Sequence, residues 1–455
     1  MEVFGRTFEE NVEHMHNLLQ SNRMTRFRTE FLANHSYDQA KLFDAFSKED
    51  REKVYQYLSP SELANIFDAS ELESDQMDEY FSEMGNSYAA GVLGEMYADN
   101  AVDVLNALKD RARVATFMNL MKPESAREIS QLINYMPDTA GAIMTTEFVA
   151  VKEEYTVGEA YRHLKNEAVK AETIYYVYVM DDHNRLSGVI SLRDLIVHED
   201  DRLIEDVMNK RIISVQVNDD QQEVARMVQD YDLLALPVVG FDKELLGIIT
   251  VDDILDVIQE EAVSDYSGLA AVDVDSEPDH PFGAAKNRLP WLITLLFLGM
   301  GTATLISQYE ELIESVSVLS AFVTLITGTA GNAGTQSLAV AIRKLSSKSE
   351  EDEFFKSFGF ELLTGLITGL IVGITIAIVA GLWKQNLLLG AIIGVAMAAA
   401  IFVANLAGSL IPKVMIKIGF DPAVASGPFI STLSDLTSVL IYFSIASLFI
   451  EQLMR

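Results

Sequence analysis

The 455-residue sequence has no cysteine, two tryptophans and ten prolines, and its 34 Lys+Arg face 67 Asp+Glu. Without cysteine, disulfides and thiolate metal sites are excluded. The shortage of positive charge disfavours nucleic acid and repels anionic lipid headgroups. It favours cations, although acidity also serves plain solubility. There is no HExxH, no GxSxG and no glycine-rich phosphate loop followed by Gly-Lys. With no constellation for nucleophilic or hydrolytic catalysis, an enzyme is not expected. The opening MEVFGRTFEENVEH lacks the apolar run of a secretory signal, so the front of the chain is expected in the cytoplasm.

What is present is unevenly spread. Residues 1–285 hold 24 basic and 56 acidic side chains, a net charge of −32, whereas residues 286–455 carry only −1. An acidic soluble part therefore precedes a nearly neutral, apolar one. In the apolar part the stretch Ser426–Leu448 is long enough to cross a bilayer, yet it carries Asp435 near its middle. A carboxylate at that depth needs water, a partner or a cation. Ser431, Asp435, Ser438 and Tyr442 are spaced 4, 3 and 4 apart, one polar stripe on a helix. The stripe suits a wet cation path, and the alternative is a hydrogen bond between helices.

Residues 1 to about 130 read as short helices, with breaks at Ser59-Pro60 and Lys122-Pro123. Asp99 and Asp103, four apart, fall on one side of a helix, where the ordinary role is a solvated face. His14 and His16 form an HxH that reads as a surface pair rather than a metal site.

Residues 137–258 contain a repeat. IYYVYVMDDHNRLSGVISLRDLI returns as LLALPVVGFDKELLGIITVDDIL, with Gly188 and Gly247, and Asp194 and Asp253, each 59 apart. Each copy holds two β runs and a Ser/Thr-x-x-Asp helix start. This resembles a tandem pair of cystathionine-β-synthase (CBS) domains. The resemblance implies adenine-nucleotide contacts at Ser191, Asp194 and Thr250, with Arg193 near a phosphate. The alternative is that Ser191 and Thr250, with Asp194 and Asp253, only cap helices. An acidic helix follows, ending near Gly268, and then the turn-rich AVDVDSEPDHPFG.

Five spans are expected near Leu289–Ser307, Ser315–Val340, Gly359–Leu382, Leu387–Ile411 and Ser426–Ile450. The basic loops RKLSSKSEEDEFFKS and PKVMIK place the amino terminus inside and the carboxyl terminus outside. In the second span, TGTAGNAGTQS points to an unwound or bent segment, or else to close helix packing through its glycines. Gly365, Gly369, Gly373, Gly390 and Gly394 read as packing positions.

The order of parts, with DTAGAIMTTEFVAV, RLPWL, GNAGTQS, FVANLAGSLIP and DPAVASGPFISTLSDL, resembles the MgtE family of magnesium channels. The resemblance implies a multidomain membrane protein. It has an all-α N-terminal superhelix (1–135), an α/β tandem CBS pair (136–200 and 201–258), a connecting plug helix and linker (259–288) and an α-helical five-span transmembrane domain (289–455). It implies a homodimer in the cell membrane that conducts Mg²⁺ past Asp435 and Asn332. It also implies closure by cytoplasmic Mg²⁺ at Asp99, Asp103, Asp253, Asp256, Glu261 and Asp265, with ATP as a regulatory ligand. The rivals are a CBS-regulated transporter of another divalent cation or solute, and a non-conducting membrane Mg²⁺ sensor. The sequence departs from the family at Thr335 and Gly427, where relatives have asparagine, and in the short proline-broken segment between Gly268 and Leu289.

Overall fold

In the computed structural model, residues 7–70, 74–272, 274, 280–347, 353–418 and 427–453 are described. The chain divides into two compact units, Met1–Val257 and Ile258–Arg455.

The first unit begins with short helices that run from Phe8–Gln20 to Pro123–Leu132. Their ends are written locally. Ser59 accepts from the Glu62 amide while Glu62 accepts from the Ser59 amide, and Pro60 opens the helix where no amide donor is needed. Asp110 caps the helix Arg111–Leu120 by accepting from the amides of Ala112 and Arg113. A string of rings ties successive helices together: Phe43 to Phe67 at 5.5 Å, Phe67 to Phe81 at 5.6 Å and Phe81 to Phe117 at 6.5 Å. His14 and His16 turn to different carboxylates, Glu30 and Asp50, each at 2.6 Å. They do not form a common metal pair.

The repeat folds as two three-stranded sheets of identical topology. β1 (Ala150–Lys152) pairs parallel with β2 (Tyr176–Met180), which pairs antiparallel with β3 (Leu186–Ser191). β4 (Val215–Gln216), β5 (Ala235–Val239) and β6 (Leu245–Thr250) repeat the pattern. The halves exchange their lead-in segments. Asn209, ahead of the second sheet, bridges to Val189 of the first, and Thr145, ahead of the first, bridges to Ile248 of the second. This explains the glycine pair. A Cβ at Gly247 would fall 2.6 Å from the Thr145 carbonyl oxygen, and one at Gly188 would strike Met208. At Gly247 the obstacle is backbone and only a bare Cα fits, whereas at Gly188 it is the flexible end of a methionine side chain.

Among its described residues the second unit has five long helices: Pro281–Ser307, Ser320–Ser347, Glu353–Trp383, Leu387–Lys417 and Gly427–Leu448. Among the described residues, four are long and apolar enough to cross a membrane. Ser320–Ser347 has the length, but Thr324, Thr327, Gly328, Thr329, Asn332, Thr335 and Gln336 dilute its apolar character. Of the five expected spans, Ser320–Ser347 is the one that falls short of that measure among the described residues. The first helix also starts earlier than expected, at Pro281, and continues through Pro290.

The unwound second span is corrected as well. Ser320–Ser347 is helical throughout, and its glycines permit close contact. A Cβ at Gly334 would lie 3.0 Å from both Ile430 and the Ser434 hydroxyl. Gly373 and Gly394 pack reciprocally, each Cβ position 2.5 Å from the other residue's carbonyl oxygen.

Buried charge in the first unit is matched at Arg51, which bonds Glu83 at 2.7 Å and Glu79 at 2.6 Å while Tyr55 donates to Glu83 at 2.9 Å. Glu83→Ala removes the buried counter-charge, leaves the guanidinium to the exposed Glu79, and is expected to lower stability by about 1.5–3 kcal/mol. Calorimetry of the detergent-solubilised chain checks this, and an unchanged melting midpoint contradicts it.

Candidate ion sites

Two places hold carboxylates that the fold does not neutralise. The first lies within the Met1–Val257 unit. Asp99, in the first turn of the helix Ala98–Ala107, is buried at 7% exposure. Its recorded hydrogen bond comes from the adjacent Asn100 amide at 2.9 Å. Burial, then the charges of Glu172 and Asp253, push its pKa well above the ordinary carboxylate range. Glu172, just ahead of β2, is raised to about 8 by burial and by Asp253. One of its oxygens is buried without a hydrogen-bond partner. Asp253 is raised to about 6 by burial, against the bonds it accepts from the Thr250 hydroxyl at 2.5 Å and the Thr250 amide at 3.1 Å. Asp68, raised to about 7 chiefly by burial, accepts from the Tyr97 amide and the Asn100 side chain. Glu147 reaches into the same region by accepting from the Ala98 amide at 3.3 Å.

Asp99 and Asp253 thus act on one another, while Asp103, one turn beyond Asp99, is exposed. The expectation that Asp99 and Asp103 share a setting is corrected: a helical face spans the border between core and solvent. Asp256 is exposed on the helix Val251–Ala270. Glu261 and Asp265 sit further along that helix, in the second unit, half-buried. Among the described residues no group of three His, Asp or Glu side chains converges closely enough to hold a metal ion alone. Sequence reasoning missed Asp68, Glu147 and Glu172. They come from three separate segments, and the repeat offset does not help, because the position 59 beyond Glu172 is Tyr231.

The Ser/Thr-x-x-Asp positions act as caps. Ser191 donates to Asp194 at 2.6 Å and accepts from its amide at 3.1 Å, a reciprocal capping box. Arg193 is exposed beside them. Asp253 lies under the charges of Asp252 and Asp256, a setting that repels phosphate. Of the two copies, the first therefore suits a nucleotide better.

The second place lies in the second unit. Asp435, half-buried on the helix Gly427–Leu448, has no hydrogen-bond or ion-pair partner among the described residues. It faces Gly331 of the helix Ser320–Ser347, where a Cβ would stand 3.7 Å from Oδ1. Asn332 and Gln336 are exposed on that same helix. The expected polar stripe does not hold over its whole length. Tyr442 is buried and donates to the Leu319 carbonyl at 3.0 Å, and Ser438 is completely buried. The upper half of the stripe is a helix contact, and only Ser431 and Asp435 keep solvent exposure.

Residues 323–445 match the family model described as divalent cation transporter. Residues 34–138 match that of the MgtE intracellular N domain, and 140–200 and 204–260 that of the CBS domain. Fold and matches define a class: multi-pass divalent cation transporters with an intracellular helical domain and a CBS pair. The magnesium transporter MgtE of Enterococcus faecalis (strain ATCC 700802 / V583) is 58% identical over 448 residues, 98% of this chain and 99% of that protein. A crystal structure of the soluble part of a magnesium transporter matches at 52% identity and TM-score 0.55, covering 56% of this chain and all of that one. The cytosolic domain of the Mg²⁺ channel MgtE in complex with ATP matches at 36% identity and TM-score 0.51, covering 54% and 99%. The chain belongs to the MgtE family of magnesium transporters.

The raised carboxylates give a signed pH dependence. Between the unfolded pKa of about 4 and the folded values of about 6, 7 and 8 for Asp253, Asp68 and Glu172, the folded chain binds more protons than the unfolded one. Stability of the chelator-treated protein should therefore fall as pH rises from about 5 to about 8. Thermal melts in EDTA check this, and stability that rises over that window contradicts it.

Proposed function

We propose that the chain is a Mg²⁺-selective channel for magnesium uptake across the cell membrane, with Asp435 and Asn332 in the ion path. One observation carries the reading: Asp435 is a carboxylate on an apolar helix with no partner among the described residues. Such a group is expensive in a bilayer unless a cation or water meets it. Mg²⁺ keeps most of its shell of water and is bound through few carboxylates. A lone acid suits an ion that passes largely hydrated.

The protein acts as a homodimer, so that two copies of Asp435 offset the divalent charge. The helix Pro281–Ser307, which has no buried residue, and the exposed amides of Asn332 and Gln336 support a second copy. The amino terminus lies in the cytoplasm and the carboxyl terminus outside. The parts divide at 1–135, 136–200, 201–258, 259–288 and 289–455.

Cytoplasmic Mg²⁺ closes the channel through Asp99, Asp103, Asp253, Asp256, Glu261 and Asp265, joined by Glu172. Cations relieve the repulsion among these groups and so favour the compact state. Ion-bound water completes such sites. ATP is a regulatory ligand of the CBS pair, with Ser191, Arg193, Asp194 and Thr250 as its contacts.

Flux into proteoliposomes tests the path: Asp435→Ala should reduce Mg²⁺ entry to background, and parental flux removes the assignment. Uptake that another divalent cation or an organic solute outcompetes favours a different cargo. Mg²⁺-dependent compaction without flux favours a sensor. For the gate, protease protection of residues 1–257 should rise with Mg²⁺ in the parent. In Asp99→Asn the difference between Mg²⁺-free and Mg²⁺-saturated protein should shrink severalfold, and an unchanged difference removes Asp99 from the sensor.

A further inference from the structure

Asp435 is not alone on its face. Ser431 precedes it by four residues, so the two side chains project from one side of the helix Gly427–Leu448. Both are half-buried, and neither makes a hydrogen bond to any described residue. Both also meet the same point on the neighbouring helix. A Cβ at Gly331 would lie 2.8 Å from the Ser431 hydroxyl oxygen and 3.7 Å from Asp435 Oδ1.

The serines on the adjoining face differ. Ser434 and Ser438 are buried at 1% and 0% exposure. Ser431 keeps an accessible hydroxyl, and the point it meets on the neighbouring helix is a glycine. A methyl group at 331 would sit inside the ordinary contact distance of that oxygen and force it aside.

We infer that Ser431 is a second contact for the hydrated ion, one helical turn from Asp435, and that Gly331 is the gap that keeps its hydroxyl in the path. The inference rests on the reading of Asp435 as a pore residue. A hydrated Mg²⁺, with Mg–O near 2.1 Å and hydrogen bonds near 2.8 Å, spans about 10 Å from acceptor to acceptor. One such ion can engage both oxygens beside Gly331. A carboxylate supplies charge. A neutral hydroxyl accepts a hydrogen bond from ion-bound water without deepening the electrostatic well, so the ion can leave. It also favours an ion with a compact, firmly held shell. Ca²⁺, with more ligands at longer and more variable distances, matches this pair less well.

The test is divalent flux through the full chain in proteoliposomes for the parent, Ser431→Ala, Gly331→Ala, the Gly331→Ala/Ser431→Ala double variant and Asp435→Ala. Gel filtration and thermal melting establish that each variant is folded. Ser431→Ala should lower Mg²⁺ flux roughly threefold to tenfold, the worth of one hydrogen bond to a polarised water, and narrow the preference for Mg²⁺ over Ca²⁺. Gly331→Ala should lower Mg²⁺ flux by a similar factor, because it displaces the same hydroxyl. The double variant should fall no further than Ser431→Ala, because the group that the methyl displaces is then already gone. If Asp435→Ala is dead but Ser431→Ala keeps the parental flux and ion preference, the inference falls and the pore reading stands. If Asp435→Ala conducts normally, both fall. If the double variant conducts severalfold less than Ser431→Ala, then Gly331 acts through helix packing and its assigned role is wrong.

Discussion

Negative charge left without a counter-charge is the constraint on which this molecule turns. Elsewhere the fold pairs its buried carboxylates with care. Glu83 is held by Arg51 and Tyr55, Glu361 by Lys344 at 3.0 Å, and Asp50 by His16, Gln20 and Ser47. Against that habit, Asp99, Glu172 and Asp253 stand out because the charges that act on them most strongly are other carboxylates. Asp435 stands out because nothing described bonds it. A buried acid is ordinarily made tolerable by a base or by hydrogen bonds. Where neither is supplied, the acid keeps its proton or meets a mobile cation, and under the proposed function that cation is Mg²⁺.

The membrane part shows a second economy. Glycines at this depth can loosen a helix or bring helices together, and here they do the latter. The helix Ser320–Ser347 keeps its backbone hydrogen bonds and uses Gly331 and Gly334 to approach the helix Gly427–Leu448. Beside those glycines lie Ser431, Ser434 and Asp435, together with the buried Ile430. At Gly331 the contact leaves the Ser431 hydroxyl accessible, whereas at Gly334 it buries that of Ser434.

Much of this was legible in the sequence, and the reason is range. The repeat, the Ser59-Pro60 helix start and the apolar run around Asp435 depend on residues a few positions apart, and local spacing states them directly. The failures are equally physical. Helical spacing grouped Tyr442 with Asp435, but spacing says nothing of the neighbouring Leu319 carbonyl that takes the Tyr442 hydroxyl. The pairing of Asp99 with Asp103 assumed that one face has one environment, whereas that face passes from core to solvent within a turn. Glu172 carried no local mark, because its significance arises only when the fold sets it against Asp253, 81 residues away.

Asp253 joins these threads. It is the third residue of the helix Val251–Ala270, and its carboxylate accepts from the Thr250 amide and hydroxyl at the helix start. A carboxylate there is stabilised by the helix dipole and by amides that otherwise lack a partner. The same group faces Glu172 and Asp99, which disfavour its charge. Its position is therefore a compromise between capping and repulsion. A cation drawn to the cluster shifts that compromise by removing the repulsion while leaving the cap. The change falls on the first turn of the helix that carries the chain into the apolar unit. Under the proposed gating, no separate relay residue is needed at the start: the sensor carboxylate and the helix cap are one side chain.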